Sequence, residues 1–126
     1  MKQEVKTDKA QSAKGLLSQA IVSNGLIFTA GFIHITADGK MVEGSTEDKL
    51  KQVMTNIKEV LKEAGAKMDD IIKATIYVTD MKILPEFNKL YVTYFKEPYP
   101  VREAVCVKEL PLGASIEISV IARKEN

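Results

Sequence analysis

A two-layer α+β fold, one sheet covered on one face by two helices, is what this sequence predicts. Three observations predict it. Two apolar segments flank Asn24-Gly25, helical periodicity runs through residues 50–64 and returns at 87–95, and runs at 70–79, 102–108 and 115–122 read as strands. The resulting order is β-β-α-β-α-β-β, with room for a short further strand at 2–6.

Asn24-Gly25 is the strongest short-range hairpin signal because both residues tolerate positive φ, and it joins strands at 19–23 and 26–32. The segment HITADGKMVEG follows as a loop, with Asp38-Gly39 marking a turn. Leu50, Val53, Met54, Ile57, Val60, Leu61 and Ala64 then recur with the i, i+3, i+4, i+7 rhythm of one apolar helix face. Ser45 or Thr46 can cap that helix, Glu47 and Asp48 suit its positive end, and Gly65 marks its finish. DDIIKATIYVTD is β-branched and reads as a central strand. Pro85 fits the first turn of a second helix with Phe87, Leu90, Tyr91, Tyr94 and Phe95 on its apolar face, stopped by Pro98 and Pro100. Two strands close the chain across a segment containing Pro111 and Gly113, so that they are expected to pair as antiparallel neighbours.

The strand patterns carry a consequence for assembly. In the last strand Ile116, Ile118 and Val120 point one way and Glu117, Ser119 and Ile121 the other; in the central strand Ile72, Ala74, Ile76 and Val78 oppose Ile71, Lys73, Thr75 and Tyr77. Both faces are partly apolar, and two helices cover only one. The second is expected to pack on further copies of the chain in a closed symmetric oligomer.

Length and charge bound the rest. The 126 residues are expected to form one domain, 1–126. Eighteen basic against 17 acidic residues give a net charge of +1, which offers no bulk attraction to nucleic acid or an anionic membrane. A single cysteine excludes an intrachain disulfide framework and C-x-x-C chemistry, and a single histidine excludes an imidazole-built site. No apolar run approaches the ~18 residues that span a bilayer and the N-terminus lacks a signal-peptide core, so a soluble cytoplasmic protein is expected.

Few side chains then suggest chemistry. Arg102 opens a strand of small and apolar residues, where a guanidinium can grip a carboxylate through two parallel hydrogen bonds. Glu117 leaves the face opposite Ile116 and Ile118, where a subunit cleft would tolerate a carboxylate that holds water or relays a proton. TAGF (residues 29–32) offers backbone N–H donors around Gly31. Asn88 lies off its helix's apolar stripe, within reach of a ligand or of solvent. Cys106, between valines, is expected to be a small buried hydrophobe, and His34 is expected in a surface loop. Asp69-Asp70 lacks the spaced oxygens of a calcium loop, so no metal is assigned. The lysines of the first helix, Lys49, Lys51, Lys58 and Lys62, alternate with acids as on a solvated face.

PVREAVCVKELPLGASIEISVIA resembles the C-terminal signature of the RidA (YjgF, L-PSP) family, and LSQAIVSNGLIFTAGFI, NIKEVLKEAGAKMDDIIKATIYVTDM and FNKLYVTYF resemble its other segments in order. The resemblance implies a chorismate-mutase-like homotrimer with a ligand cleft between subunits. It also implies a cofactor-independent enamine/imine deaminase that converts 2-aminoacrylate-type intermediates to 2-oxo acids and ammonia. On that resemblance Arg102 would clamp the substrate carboxylate and Glu117 would activate water, with Asn88, Gly31, Ala30, Leu17 and Phe32 at pocket positions. The family's deaminases commonly carry tyrosine where Leu17 stands, serine where Ala30 stands and cysteine where Ala104 stands. A non-enzymatic trimer sensing small carboxylates is the alternative that Leu17 and Ala30 favour. RNA-directed activity ranks below both, since the chain has no histidine pair and no basic bias.

Overall fold

The structure, a computed structural model, describes residues 1–124. Seven strands form one mixed sheet: β1 (Gln3–Val5), β2 (Ala20–Ser23), β3 (Leu26–Thr29), β4 (Phe32–Ile33), β5 (Ile71–Val78), β6 (Val101–Cys106) and β7 (Ile116–Arg123). Their spatial order is β1-β2-β3-β7-β5-β6, with β4 also paired to β7. Two helices, α1 (Thr46–Glu63) and α2 (Leu84–Tyr91), complete the α+β fold.

Local sequence accounts for the elements. The β2–β3 turn places Asn24 at φ 52° and Gly25 at φ 76°, the two left-handed residues that a two-residue hairpin requires. Ser45 caps α1 by accepting the Asp48 N–H at 3.1 Å. Its other end closes with Gly65 N–H to Lys62 O and Ala66 N–H to Leu61 O, a Schellman pair. The stripe on α1 is buried as its spacing predicts: Leu50, Val53, Met54, Ile57, Val60 and Leu61 pack over Ile116, Ile118 and Val120 of β7 and Ala74, Ile76 and Val78 of β5. Each such side chain contributes about 1.5–3 kcal/mol of burial. The α2 helix is shorter than its apolar pattern, flanked by single 3-10 turns at Met81–Ile83 and Val92–Tyr94.

Three expectations about the sheet are corrected. The segment expected as one strand over 26–32 is broken: Phe28 pairs with Ile121 and Phe32 with Ile118, so three residues stand opposite two, a bulge at residues 29–31. Thr29 Oγ1 fills the break by accepting the Val120 N–H at 2.9 Å. Next, Ile71 pairs with Ala122 and Lys73 with Ile121, so a second irregularity leaves Ile72 unpaired and exposed while Ile71 enters the core. Finally, β6 and β7 are not neighbours. The β5 strand lies between them, antiparallel to β7 and parallel to β6. A parallel pair needs a crossover, and α2 supplies it.

The face away from the helices is covered by its own chain only around Ile33, which packs with Ile35, Ala114, Met41 and Leu110. Val101 is 66% exposed, and Phe28 and Val105 are also exposed there, beside half-buried Ile21, Ile121 and Tyr77. The salt bridge Lys73–Glu103, 3.0 Å, crosses the same face. Among the described residues no helix is long and apolar enough to cross a membrane.

Candidate functional site

Sheet register decides where the candidate residues point. Arg102 is in register with Ala74, and Ala74 lies fully buried beneath the helices, so Arg102 projects from the edge strand toward α2. There Asn88 Oδ1 accepts its Nη2–H at 2.6 Å. The guanidinium carbon lies 4.9 Å from the Tyr91 ring centre and 5.9 Å from that of Phe87, within cation–π range. Phe87 and Tyr91 stack at 5.8 Å, and Tyr91 meets Phe95 at 4.8 Å, so the aromatic shelf is itself packed. Asn88 engages one N–H of the guanidinium fork, which retains the geometry to hold a carboxylate with the others.

Glu117 is in register with Tyr77 and Ile33 and projects from the open face. It rests on the bulge: a β-carbon added to Gly31 would stand 2.8 Å from the Glu117 carboxyl carbon and overlap its Oε2. Only glycine lets the carboxylate lie there. Partial burial pushes the Glu117 carboxyl above the ordinary glutamate range, because desolvation disfavours the charge. A carboxyl so raised suits proton transfer near neutral pH better than an ordinary one.

Arg102 and Glu117 therefore do not meet within one chain, because β5 separates the two strands that were expected to be antiparallel neighbours. They stand two strands apart, staggered by three positions along β5 from Ala74 to Tyr77. With ~4.8 Å between strands and ~3.3 Å per residue their Cα atoms are roughly 14 Å apart. They also leave opposite faces.

The remaining candidates scatter. Ala30, whose N–H donates to Gln19 O at 2.9 Å, and Gly31 form the bulge itself. Phe32 follows it, but its ring is 1% exposed in the core against Ile118, so only its backbone borders the Glu117 side; the expectation of a pocket side chain is corrected for its ring. Leu17 is half-exposed on the loop before β2. It lines an open cleft of about 770 Å³ with Lys6, Lys9, Lys14 and Gln19; the bulge residues Ala30 and Gly31 do not line it. Two further expectations are reversed. Cys106 is exposed, because it ends β6, the edge strand, which has a neighbour on one side only. His34 is buried, because both its ring nitrogens bond to backbone groups and remove the cost of burying them. Asp70, with no metal role assigned, caps its own turn by accepting the Lys67 N–H at 2.9 Å.

Sequence reasoning missed the polar side chains that hold β4. Gln11 Oε1 accepts the Ile33 N–H at 2.8 Å, and fully buried Asn56 donates to Ile33 O and Ile35 O at 3.2 and 2.9 Å. Gln19 bridges Thr7, Ala10 and Gln11 in the same way. The one available signal for Asn56 was its place beside Ile57 on the buried side of α1.

Comparison with known proteins places this geometry. Residues 7–124 match the family described as endoribonuclease L-PSP. A RutC family protein of Aquifex aeolicus is 45% identical over 124 residues, covering 96% of this chain and 98% of the relative. The chloroplastic Reactive Intermediate Deaminase A of Arabidopsis thaliana is 41% identical, covering 96% of this chain and 65% of that protein. Among solved structures, E. coli TdcF with bound serine superposes with a TM-score of 0.89 at 26% identity, covering 98% of this chain and 99% of TdcF.

Proposed function

The chain belongs to the RidA, or endoribonuclease L-PSP, family, and from that membership we propose that it is a cofactor-independent deaminase of reactive 2-enamine and 2-imine acids. The observation that carries the reading is a guanidinium held in advance by Asn88, Tyr91 and Phe87, paired with a desolvated carboxylate seated on a glycine bulge. Relatives support the substrate class: one is named a reactive intermediate deaminase, and another holds serine, an amino acid with the carboxylate that Arg102 would grip.

The active site lies between copies of the chain. Arg102 and Glu117 leave opposite faces of one sheet, so a ligand touching both takes its arginine from one subunit and its glutamate from the next. The open face, with Phe28, Val101 and Val105 exposed, is the surface on which copies pack, and the assembly is a homotrimer with three intersubunit clefts.

In that cleft Arg102 holds the carboxylate of the 2-imino acid and so fixes C2 and its C=N bond. Glu117 takes a proton from water as the water oxygen bonds to C2 and the C=N π pair moves to nitrogen, to which Glu117 passes that proton. The tetrahedral carbinolamine then collapses: Glu117 takes the hydroxyl proton as the C=O bond forms and the C–N bond breaks, the nitrogen leaves as ammonia carrying that proton, and the 2-oxo acid remains. The imine is already electrophilic, so positioning and one proton relay supply the catalysis.

Coupling a serine/threonine dehydratase to this protein tests the reading by following loss of 2-aminoacrylate. The wild type should accelerate its decay, and Arg102→Ala should abolish the acceleration while light scattering still finds three times the chain mass. Full activity in Arg102→Ala would remove the carboxylate clamp from the mechanism, and an active monomer would remove the intersubunit site.

A further inference from the structure

His34 has no part in the reaction just described, yet it is tied at both ends. Its Nε2 accepts the Ser115 N–H at 2.9 Å, which fixes Nδ1 as the protonated nitrogen, and Nδ1 donates to Val42 O at 2.8 Å. The Val42 N–H returns a bond to His34 O at 2.8 Å, so the ring and its own backbone grip one loop residue. At its other end lies a junction. Ser115 O accepts the Thr79 N–H beyond the end of β5, and Ser115 Oγ accepts from Lys49 Nζ of α1 at 3.1 Å, so this lysine is not on a solvated face as expected. Two residues further on is Glu117, whose Cα partner across the ladder is Ile33, the residue before His34.

We infer that His34 is a positioning residue: its neutral imidazole clasps Val42 to Ser115 and thereby sets where the Glu117 carboxylate lies against Gly31. Its effect on rate rests on the deaminase reading; the clasp itself does not. A protonated ring cannot make this bridge, because an Nε2–H would face the Ser115 N–H, donor against donor. The buried surroundings oppose the charge. His34 titrates below the ordinary value of 6.5, chiefly through burial; the Val42 carbonyl and Glu43 pull the other way, and the Lys49 ammonium adds to the lowering. In the window between the folded pKa and 6.5 the unfolded chain binds more protons, so the clasp's stabilisation is intact above 6.5 and is lost as pH falls.

The chain has one histidine, so imidazole ¹⁵N NMR reports His34 without assignment. The expected result is an Nδ1–H tautomer with a midpoint below 6.5, and backbone amide signals of Ser115 and Glu117 that move with the same midpoint. Two substitutions divide the clasp. His34→Gln keeps an acceptor at the reach of Nε2, whereas His34→Asn keeps a donor near Nδ1 and leaves the Ser115 N–H without its acceptor. At about pH 8, where the wild-type ring is neutral, His34→Asn should lower kcat about tenfold with KM within about twofold. His34→Gln should recover most of that kcat and remove the histidine limb from the pH–rate profile. An Nε2–H tautomer, Ser115 and Glu117 amides indifferent to the His34 titration, or equal rates in the two variants would each overturn the inference. The NMR arm needs no turnover, so a protein inactive on imines counts against the deaminase reading alone.

Discussion

Replacing Gly31 with Ala isolates the contact between the bulge and Glu117. Gly31 is not among the residues at positive φ, so alanine carries no backbone strain and acts through its methyl group alone. That methyl would stand 2.8 Å from Cδ and 3.2 Å from Cγ of Glu117. Carbon pairs rest at about 3.5–4.0 Å, so the carboxylate must retreat by roughly 1 Å. A misplacement of that size near reacting atoms costs on the order of 10²-fold in rate, about 2.7 kcal/mol of transition-state stabilisation. Stability should respond far less, because the half-buried Glu117 can swing toward the open face; a shift of the thermal midpoint below about 4 °C is expected. Steady-state imine hydrolysis and thermal unfolding of the same preparation make the test, with kcat falling about a hundredfold and KM staying within about twofold. A folded Gly31→Ala protein with wild-type kcat would refute the placement of Glu117 at the reacting atoms.

Four other substitutions, at three residues, separate the parts of the molecule around the site. The Tyr91 hydroxyl is buried and has no hydrogen-bond partner among the described residues; Tyr91→Phe should therefore leave stability unchanged or raise it by up to about 1 kcal/mol in denaturant titrations. Tyr91→Leu instead removes the ring beneath the guanidinium, worth about 0.5–2 kcal/mol, and should raise KM several-fold; an unchanged KM would deny the shelf its role. Glu117→Gln should melt above the wild type at neutral pH. A carboxyl whose folded pKa is raised gives its full stability below the unfolded value and loses it as pH rises through the folded one, so the gap should close toward acid. Asn56→Leu strips the Ile33 and Ile35 carbonyls of their buried donor and should cost about 1–3 kcal/mol in chemical unfolding; a smaller loss would show β4 to be held by its ladder and Gln11 without Asn56.

Legibility of the sequence followed the range of each signal. The α1 stripe and the Asn24-Gly25 turn are encoded within a few residues, and both were readable. Strand neighbours are not local. The Pro111–Gly113 segment reverses the chain but does not name the strand that receives it, and β5 fills the place that β6 was expected to take beside β7. A signal for that was present: strand, helix, strand over residues 71–106 is a β-α-β unit, which brings its two strands together in parallel. Parity failed at Ile72 because an irregularity shifts the register by one residue, which no alternation pattern registers. His34 and Cys106 exchanged environments for a reason of the same kind. Burial of an imidazole depends on distant backbone partners, here Ser115, while exposure of a thiol at a strand end depends on whether that strand lies at the sheet edge, as β6 does. Arg102 and Glu117 were picked out by residue type and strand position, and the resemblance gave them roles; their opposite faces emerged only from the register.

In the proposed intersubunit cleft, those opposite faces make the functional unit a mosaic. An Arg102→Ala chain still presents an intact glutamate to one neighbour, and a Glu117→Gln chain an intact arginine to the other. Each variant alone should be inactive, and subunits of the two exchanged at random in equal amounts should rebuild about a quarter of the clefts with both native groups. Lesions at these two residues would therefore complement each other in a mixed population, while two lesions in the same chain would not.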